Sequence, residues 1–211
     1  MRKFFLIVIF ALISELALSQ IPGYSEIGNL EVFKKKFTEA ANKTSSIKSD
    51  FTQEKNMSML SEKLVSKGKF EYKKEDKVRM EYLSPFKYLM IINGSKVYIR
   101  DGQKENTLST SSNKIFKQVS GIMLDCVSGS MLTNPDFKIK IFENKTDYLI
   151  EMIPVSKGIK DFFSKIHVIA DKSDYGVNRV ELIELSGDVT VMHFTNKQLN
   201  TNVPDTDFYL H

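Results

Sequence analysis

A chain of 211 residues with a formal charge of +4, 42% hydrophobic and 27% charged, suits one globular domain and excludes a disordered, charge-dominated polymer. Its lysines are scattered and not gathered in a block, which reads as a solvated face and argues against a nucleic-acid partner. The lone cysteine, Cys126, excludes an internal disulfide and a cysteine metal cluster, so packing alone must hold the fold.

Residues 1–19 read as a secretory signal. Arg2 and Lys3 give a positive start, Phe4 to Ile13 an apolar run, and Ala17-Leu18-Ser19 a small-x-small cleavage site before Gln20. About ten apolar residues are too few to cross a bilayer core of about 30 Å as a helix. No cysteine stands near the cleavage site to take a lipid. The expectation is a soluble exported protein with a single domain over 20–211.

After a short leader with Pro22 and Gly23, the pattern turns helical from Glu26. Ile27, Leu30, Phe33, Phe37, Ala40 and Ala41 recur at three- and four-residue steps, with Ser25 as the expected N-cap. Ile47 to Lys55 is a first strand; Met57, Met59, Leu60 and Leu64 mark a looser connection into Val65-Ser66-Lys67. Between Gly68 and Asp101 the chain predicts four short strands joined by turns of about four to six residues. There Phe70 and Tyr72, then Val78, Met80 and Tyr82, alternate with charged neighbours, which is the period of antiparallel strands with one wet face. Pro85 ends the second run, and Asn93-Gly94 supplies a tight hairpin.

Residues 102–112 are polar and turn-rich. A second apolar stripe follows in Ile115, Phe116, Val119, Ile122, Met123, Cys126 and Val127, interrupted by Gly121, Ser128 and Gly129. Each glycine costs a helix up to about 1 kcal/mol relative to alanine, so this helix is a candidate moving part. Strands resume at Phe137-Ile139-Ile141, Tyr148-Ile150-Met152, Ile166-Val168-Ala170, Val180-Leu182 and Val189-Val191-His193. A last strand is expected at Phe208-Tyr209-Leu210, after Pro204-Asp205. Ten or eleven strands and two helices, without a helix-strand repeat, predict a mainly β (α+β) antiparallel fold.

Catalytic chemistry finds no constellation. His167, His193 and His211 lack metal-ligand spacing, and there is no GxSxG, HExxH or glycine-rich phosphate loop. Cys126 sits on an apolar stripe as a small hydrophobe, and the acid pairs Glu71/Glu75 and Asp205/Asp207 read as solvated charges. No enzyme, cofactor or metal is expected. Fifteen Phe, eight Tyr and nine Met either fill a closed core or line a cavity for a lipid chain, and periodicity leaves both open.

The stretch Ser49-Asp50-Phe51-Thr52-Gln53 resembles the opening strand of the LolA-like periplasmic carriers of outer-membrane lipoproteins. Gly68 to Tyr72, Val78 to Tyr82 followed by Pro85, and Ile91 to Tyr98 resemble that family's central hairpins. Gly187 to Phe194, Asn200 and Pro204 to Leu210 are similar to its last strands. The resemblance implies an open antiparallel half-barrel of about 10–11 strands, covered by two or three helices that form a lid over a hydrophobic cavity. It also implies a periplasmic monomer that takes acylated lipoprotein cargo from an inner-membrane ABC exporter and passes it to an outer-membrane acceptor, using no ATP itself.

Under this reading the cavity residues are Phe33 and Phe37 on the first helix, Phe51, Phe70, Tyr72, Met80 and Tyr82 on strands, and Ile115, Phe116, Val119, Ile122 and Met123 on the lid. The family's arginine-proline lid latch corresponds here to Lys74-Glu75, so Lys74 is the latch candidate, bonding as a point charge. The C-terminal extension of some carriers is not matched. Two other readings stand beside it: a carrier or sensor of another amphiphile such as a glycolipid, and a non-transporting protein-interaction module on the same half-barrel.

Overall fold

The alternating segments become strands, and they join into one sheet. The computed structural model describes residues 21–59, 62–74, 76–109 and 114–209, the side chains at 108–109 and 114–117 excepted, so the expected signal segment, Leu60, Glu75, Leu210 and His211 lie outside the described residues. Among the described residues twelve strands are formed: β1 Ser25–Glu26, β2 Ser46–Asn56, β3 Lys63–Lys73, β4 Lys77–Ser84, β5 Tyr88–Asn93, β6 Lys96–Asp101, β7 Lys104–Ser109, β8 Phe137–Glu143, β9 Asp147–Pro154, β10 Phe163–Asp171, β11 Val177–Glu184 and β12 Val189–Leu199. Among the described residues three α-helices accompany them: α1 Leu30–Lys43, α2 Lys114–Ser128 and the single turn α3 Lys157–Lys160.

The sheet runs β1-β8-β9-β10-β11-β12-β2-β3-β4-β5-β6-β7, antiparallel throughout and open, with β1 and β7 at its edges. Two meanders, β2–β7 and β8–β12, are thus sewn together where the last strand pairs with β2. This topology dictates where the helices go. β7 ends at one edge and β8 begins near the other, so the connection carrying α2 must cross the sheet; α1 likewise carries the chain from the β1 edge to the middle. Both helices bury their apolar stripes on the same inner face.

Two inner clusters result. One joins Phe33 and Phe37 of α1 to Ile150, Met152, Ile166 and Val168, with Ile122 and Cys126 of α2. The other gathers Phe51, Phe70, Tyr72, Val78 and Met80 beneath Met123, Leu124 and Val127. The helix α2 therefore rests on both halves of the sheet. Gly68 allows close packing between β2 and β4 within the second cluster: a Cβ there would fall 2.1 Å from the Glu81 carbonyl and 2.7 Å from the Phe51 ring.

Several expectations need correction. Residues 104–109, read as turn-rich, form the edge strand β7, whose polar sequence suits an unpaired edge and whose Glu105 accepts from Arg100 Nε at 2.6 Å. The helix start is capped by Asn29, whose Oδ1 accepts from Val32 N at 3.0 Å, and not by Ser25, which pairs with Glu143 in β1. β3 starts at Lys63, earlier than expected, and the turns between β3 and β6 are shorter, at 74–76, 85–87 and 94–95.

Finally, of the expected last strand Phe208-Tyr209-Leu210, Phe208 ends a 3-10 turn over Asp205–Phe208, Tyr209 follows it with extended backbone, and Leu210 lies outside the described residues. Phe208, 0% exposed, packs with Val203 against Leu89 and Ile91 on the outer face. Lys73 and Lys77 both donate to Asp205 Oδ1 at 2.9 Å, and Arg79 donates to the Asp207 carbonyl at 3.0 Å. The reason lies in β5, where Leu89, Met90, Ile91 and Ile92 are all buried: apolar on both sides, it needs a cover on each.

Candidate functional site

Where α1, α2 and the junction of the two meanders meet, they enclose a cavity of about 100 Å³. Phe37, Ala40, Ala41 and Thr44 contribute the α1 wall, and Val119, Ile122, Met123, Cys126 and Val127 the α2 wall. The floor comes from Ile47 and Ser49 of β2, Phe70 of β3, Val180 and Leu182 of β11, and Met192, Phe194 and Leu199 of β12. Asp174, Tyr175, Gly176, Val177 and Lys197 complete it at the end where β2 begins and β12 finishes.

Of the residues expected at the cavity, Phe37, Phe70, Val119, Ile122 and Met123 line it. Phe33, Phe51, Tyr72 and Met80 are buried in the surrounding clusters. Phe33 stacks on Phe37 with centroids 5.4 Å apart and meets Tyr148 edge-on at 4.6 Å. Tyr82 packs edge-on against Phe51 at 4.9 Å and donates to Gln53 Oε1 at 2.9 Å, its phenol pushed up to about 12 by burial. Ile115 and Phe116 belong to α2, but their side chains lie outside the described residues.

The sequence reading missed the β11 and β12 floor. It placed Val189, Val191 and His193 on one face, whereas Met192 and Phe194, one residue out of phase, meet the cavity. Thr190, Val191 and Met192 are all buried, so alternation alone does not tell the two faces of β12 apart.

The ends of α1 and α2 are fastened by specific hydrogen bonds. Lys74 Nζ donates to the Asn42 carbonyl at 2.5 Å, so the latch candidate ties the end of β3 to the last turn of α1, where a cation also meets the helix dipole. At the far end of α2, Asp125 accepts from Ser130 Oγ and from Asn134 Nδ2, each at 2.5 Å. Gly129, at φ 77, lets that end cross α1: a Cβ there would fall 2.7 Å from Ala41 Cβ. The Cys126 thiol is pushed up to about 12, by burial first and by the neighbouring Asp125 charge second.

This arrangement offers no nucleophile or acid-base pair. The histidine-carboxylate cluster of the protein is elsewhere: His167 Nδ1 lies 3.0 Å from Glu181 and Nε2 3.5 Å from Glu151, with Lys165 at 3.1 Å from Glu151, on the sheet face opposite Ile166 and Val168. Among the described residues no His, Cys, Asp and Glu group is placed to hold a metal, and no helix is long and apolar enough to cross a membrane. What the inner site can do is take up apolar material. Ligand pockets run to about 300–1,000 Å³, so a cavity of about 100 Å³ is small for a drug-sized or lipid ligand.

A family model described as outer membrane lipoprotein carrier protein LolA matches residues 42–211. Among solved structures, an uncharacterised conserved protein from Thermus thermophilus is 9% identical over 84% of this chain and 91% of its own, with a TM-score of 0.50. MucB is 13% identical over 86% of this chain and 62% of its own, also at 0.50. A LolA superfamily protein from Nitrosomonas europaea is 11% identical over 85% and 97%, at 0.46. No curated protein matches.

Proposed function

This chain belongs to the LolA family of outer membrane lipoprotein carrier proteins, and from that premise we propose that it shields the acyl chains of lipoproteins while they cross the periplasm. Residues 1–19 would direct its export. Its cargo would be received from an inner-membrane ABC exporter and delivered to an outer-membrane acceptor, the carrier acting as a monomer without cofactor or catalysis.

The observation that carries the proposal is the apolar cavity beneath α2, the one helix that rests on both inner clusters. Exposing an acyl chain to water costs about 0.8 kcal/mol per CH₂, so transit through an aqueous compartment demands such a shelter. Loading then separates α2 from the sheet, and the chain replaces helix side chains against the floor; release reverses this. Phe33, Phe51, Tyr72, Met80 and Tyr82 become lining as the space widens, and Lys74 keeps α1 in place while α2 moves.

Ile122, 3% exposed and on the cavity wall, tests the reading. Ile122→Glu places a carboxylate where the acyl chain is to lie. Binding of a triacylated lipopeptide, followed by displacement of a fluorescent amphiphile, is expected to fall at least about a hundredfold (about 2.7 kcal/mol) while the far-ultraviolet circular dichroism keeps its β signature. Unchanged binding contradicts the assignment of α2 as the lid.

A further inference from the structure

The cavity is apolar along most of its wall, but the end where β2 begins carries Thr44, Ser49, Asp174 and Lys197. Ser49 is 7% exposed, and its Oγ is buried without a hydrogen-bond partner, although it lines an open space. A hydroxyl that only fills a core finds a backbone carbonyl; one left unpaired beside a cavity is an unused donor aimed at whatever enters.

Lys197 reaches the same end through an irregularity in β12. Asp50 pairs with Thr195 and Lys48 with Gln198, so Ser49 stands opposite two residues, Asn196 and Lys197, and Asn196 takes the left-handed φ of 54. A regular strand that turns Met192 and Phe194 inward would turn Lys197 outward. The extra residue reverses the phase and brings Lys197 and Leu199 to the cavity. There Lys197 Nζ is held only loosely, 3.4 Å from the Val177 carbonyl and 4.0 Å from Asp174 Oδ2.

We propose that this end of the cavity recognises the acyl carbonyl of the ligand, Ser49 Oγ–H donating to the carbonyl oxygen and Lys197 supplying the adjacent cation. The inference rests on the acyl-binding reading above and adds to it which end of the ligand is held, and by what. The shared chemistry is a carbonyl oxygen at the head of a long alkyl chain, whether in an ester or amide linkage or in a free carboxylate.

Three probes separate the possibilities: 1-palmitoylglycerol, 1-O-hexadecylglycerol, which keeps the chain and head but lacks the carbonyl, and palmitate. Wild-type protein is expected to bind the ester about tenfold more tightly than the ether, the worth of one ordinary hydrogen bond. Ser49→Ala is expected to remove that preference while melting no lower than wild type, because the hydroxyl it deletes has no partner in the empty protein. Lys197→Met identifies the source: a loss confined to palmitate points to a free carboxylate, and a comparable loss for the ester points to linked acyl chains.

Equal wild-type affinity for ester and ether, or an ester preference that survives Ser49→Ala, overturns the inference and leaves the carrier reading intact. A lower melting temperature for Ser49→Ala also overturns it, since the hydroxyl is then structural. Failure of wild type to bind any of the three probes overturns the acyl-binding reading itself.

Discussion

Glu181 illustrates how a single side chain couples the sheet to pH. Its carboxyl is held below the usual range, chiefly by the hydrogen bond with His167 and less by the Arg179 charge, against a burial that pushes the other way. A depressed carboxyl contributes stability above the unfolded value of about 4.3 and loses it as pH falls through the folded value. Glu181→Gln should therefore lower the melting temperature at pH 7 and make its decline between pH 6 and pH 3 shallower; a decline parallel to wild type would contradict this. Cys126 offers a second check, because its thiol, at about 12, stays protonated and covered at pH 8. Alkylation by iodoacetamide should be at least about a hundredfold slower than in the denatured chain, and an ordinary rate would mean that α2 does not close. At this scale legibility was uneven. Phe37, Phe70, Val119, Ile122 and Met123 were readable because periodicity was intact around them. Lys197 was not, since one extra residue in β12 reversed its face and leaves no mark in composition.

Elements were legible wherever one face was wet. β3 and the first half of β4 alternate, and the α1 stripe around Phe33 and Phe37 is regular. Where both faces are buried the pattern fails: β5 gave a continuous apolar run but no hint of what covers its outer side. The answer is the turn over Asp205–Phe208, which the sequence does not announce, because the apolar residues Phe208-Tyr209-Leu210 suggest a strand beginning where the turn ends. If that turn is a cover for β5, Phe208→Ala should cost about 3–5 kcal/mol, as for a fully buried aromatic, without altering acyl binding. Chemical denaturation measures the first and lipopeptide titration the second; a change of under about 1 kcal/mol would mean the segment merely rests on the sheet. Edge strand β7 escaped notice for the opposite reason, its polar residues looking like a loop because an edge needs no hydrophobic partner beyond it.

At the scale of the whole molecule the sheet order carries the argument. An open antiparallel sheet whose first and last long strands pair in the middle must be crossed by its connecting helices; both cross the same face, and that face becomes the roofed one. The antiparallel half-barrel was legible from strand count and from resemblance. The size of the cavity was not, because alternation reports which side chains face inward and not how closely they fill the space. At about 100 Å³ the cavity has little room, so the proposed carrier function requires α2 to yield to a ligand. Native mass spectrometry of the protein beginning at Gln20, mixed with a triacylated lipoprotein, tests this most directly. The account predicts a stoichiometric complex of one protein with one lipoprotein, lost in Ile122→Glu. No complex, and no copurified lipid after expression in an exporting host, would contradict it and make the cavity a packing defect of a closed core.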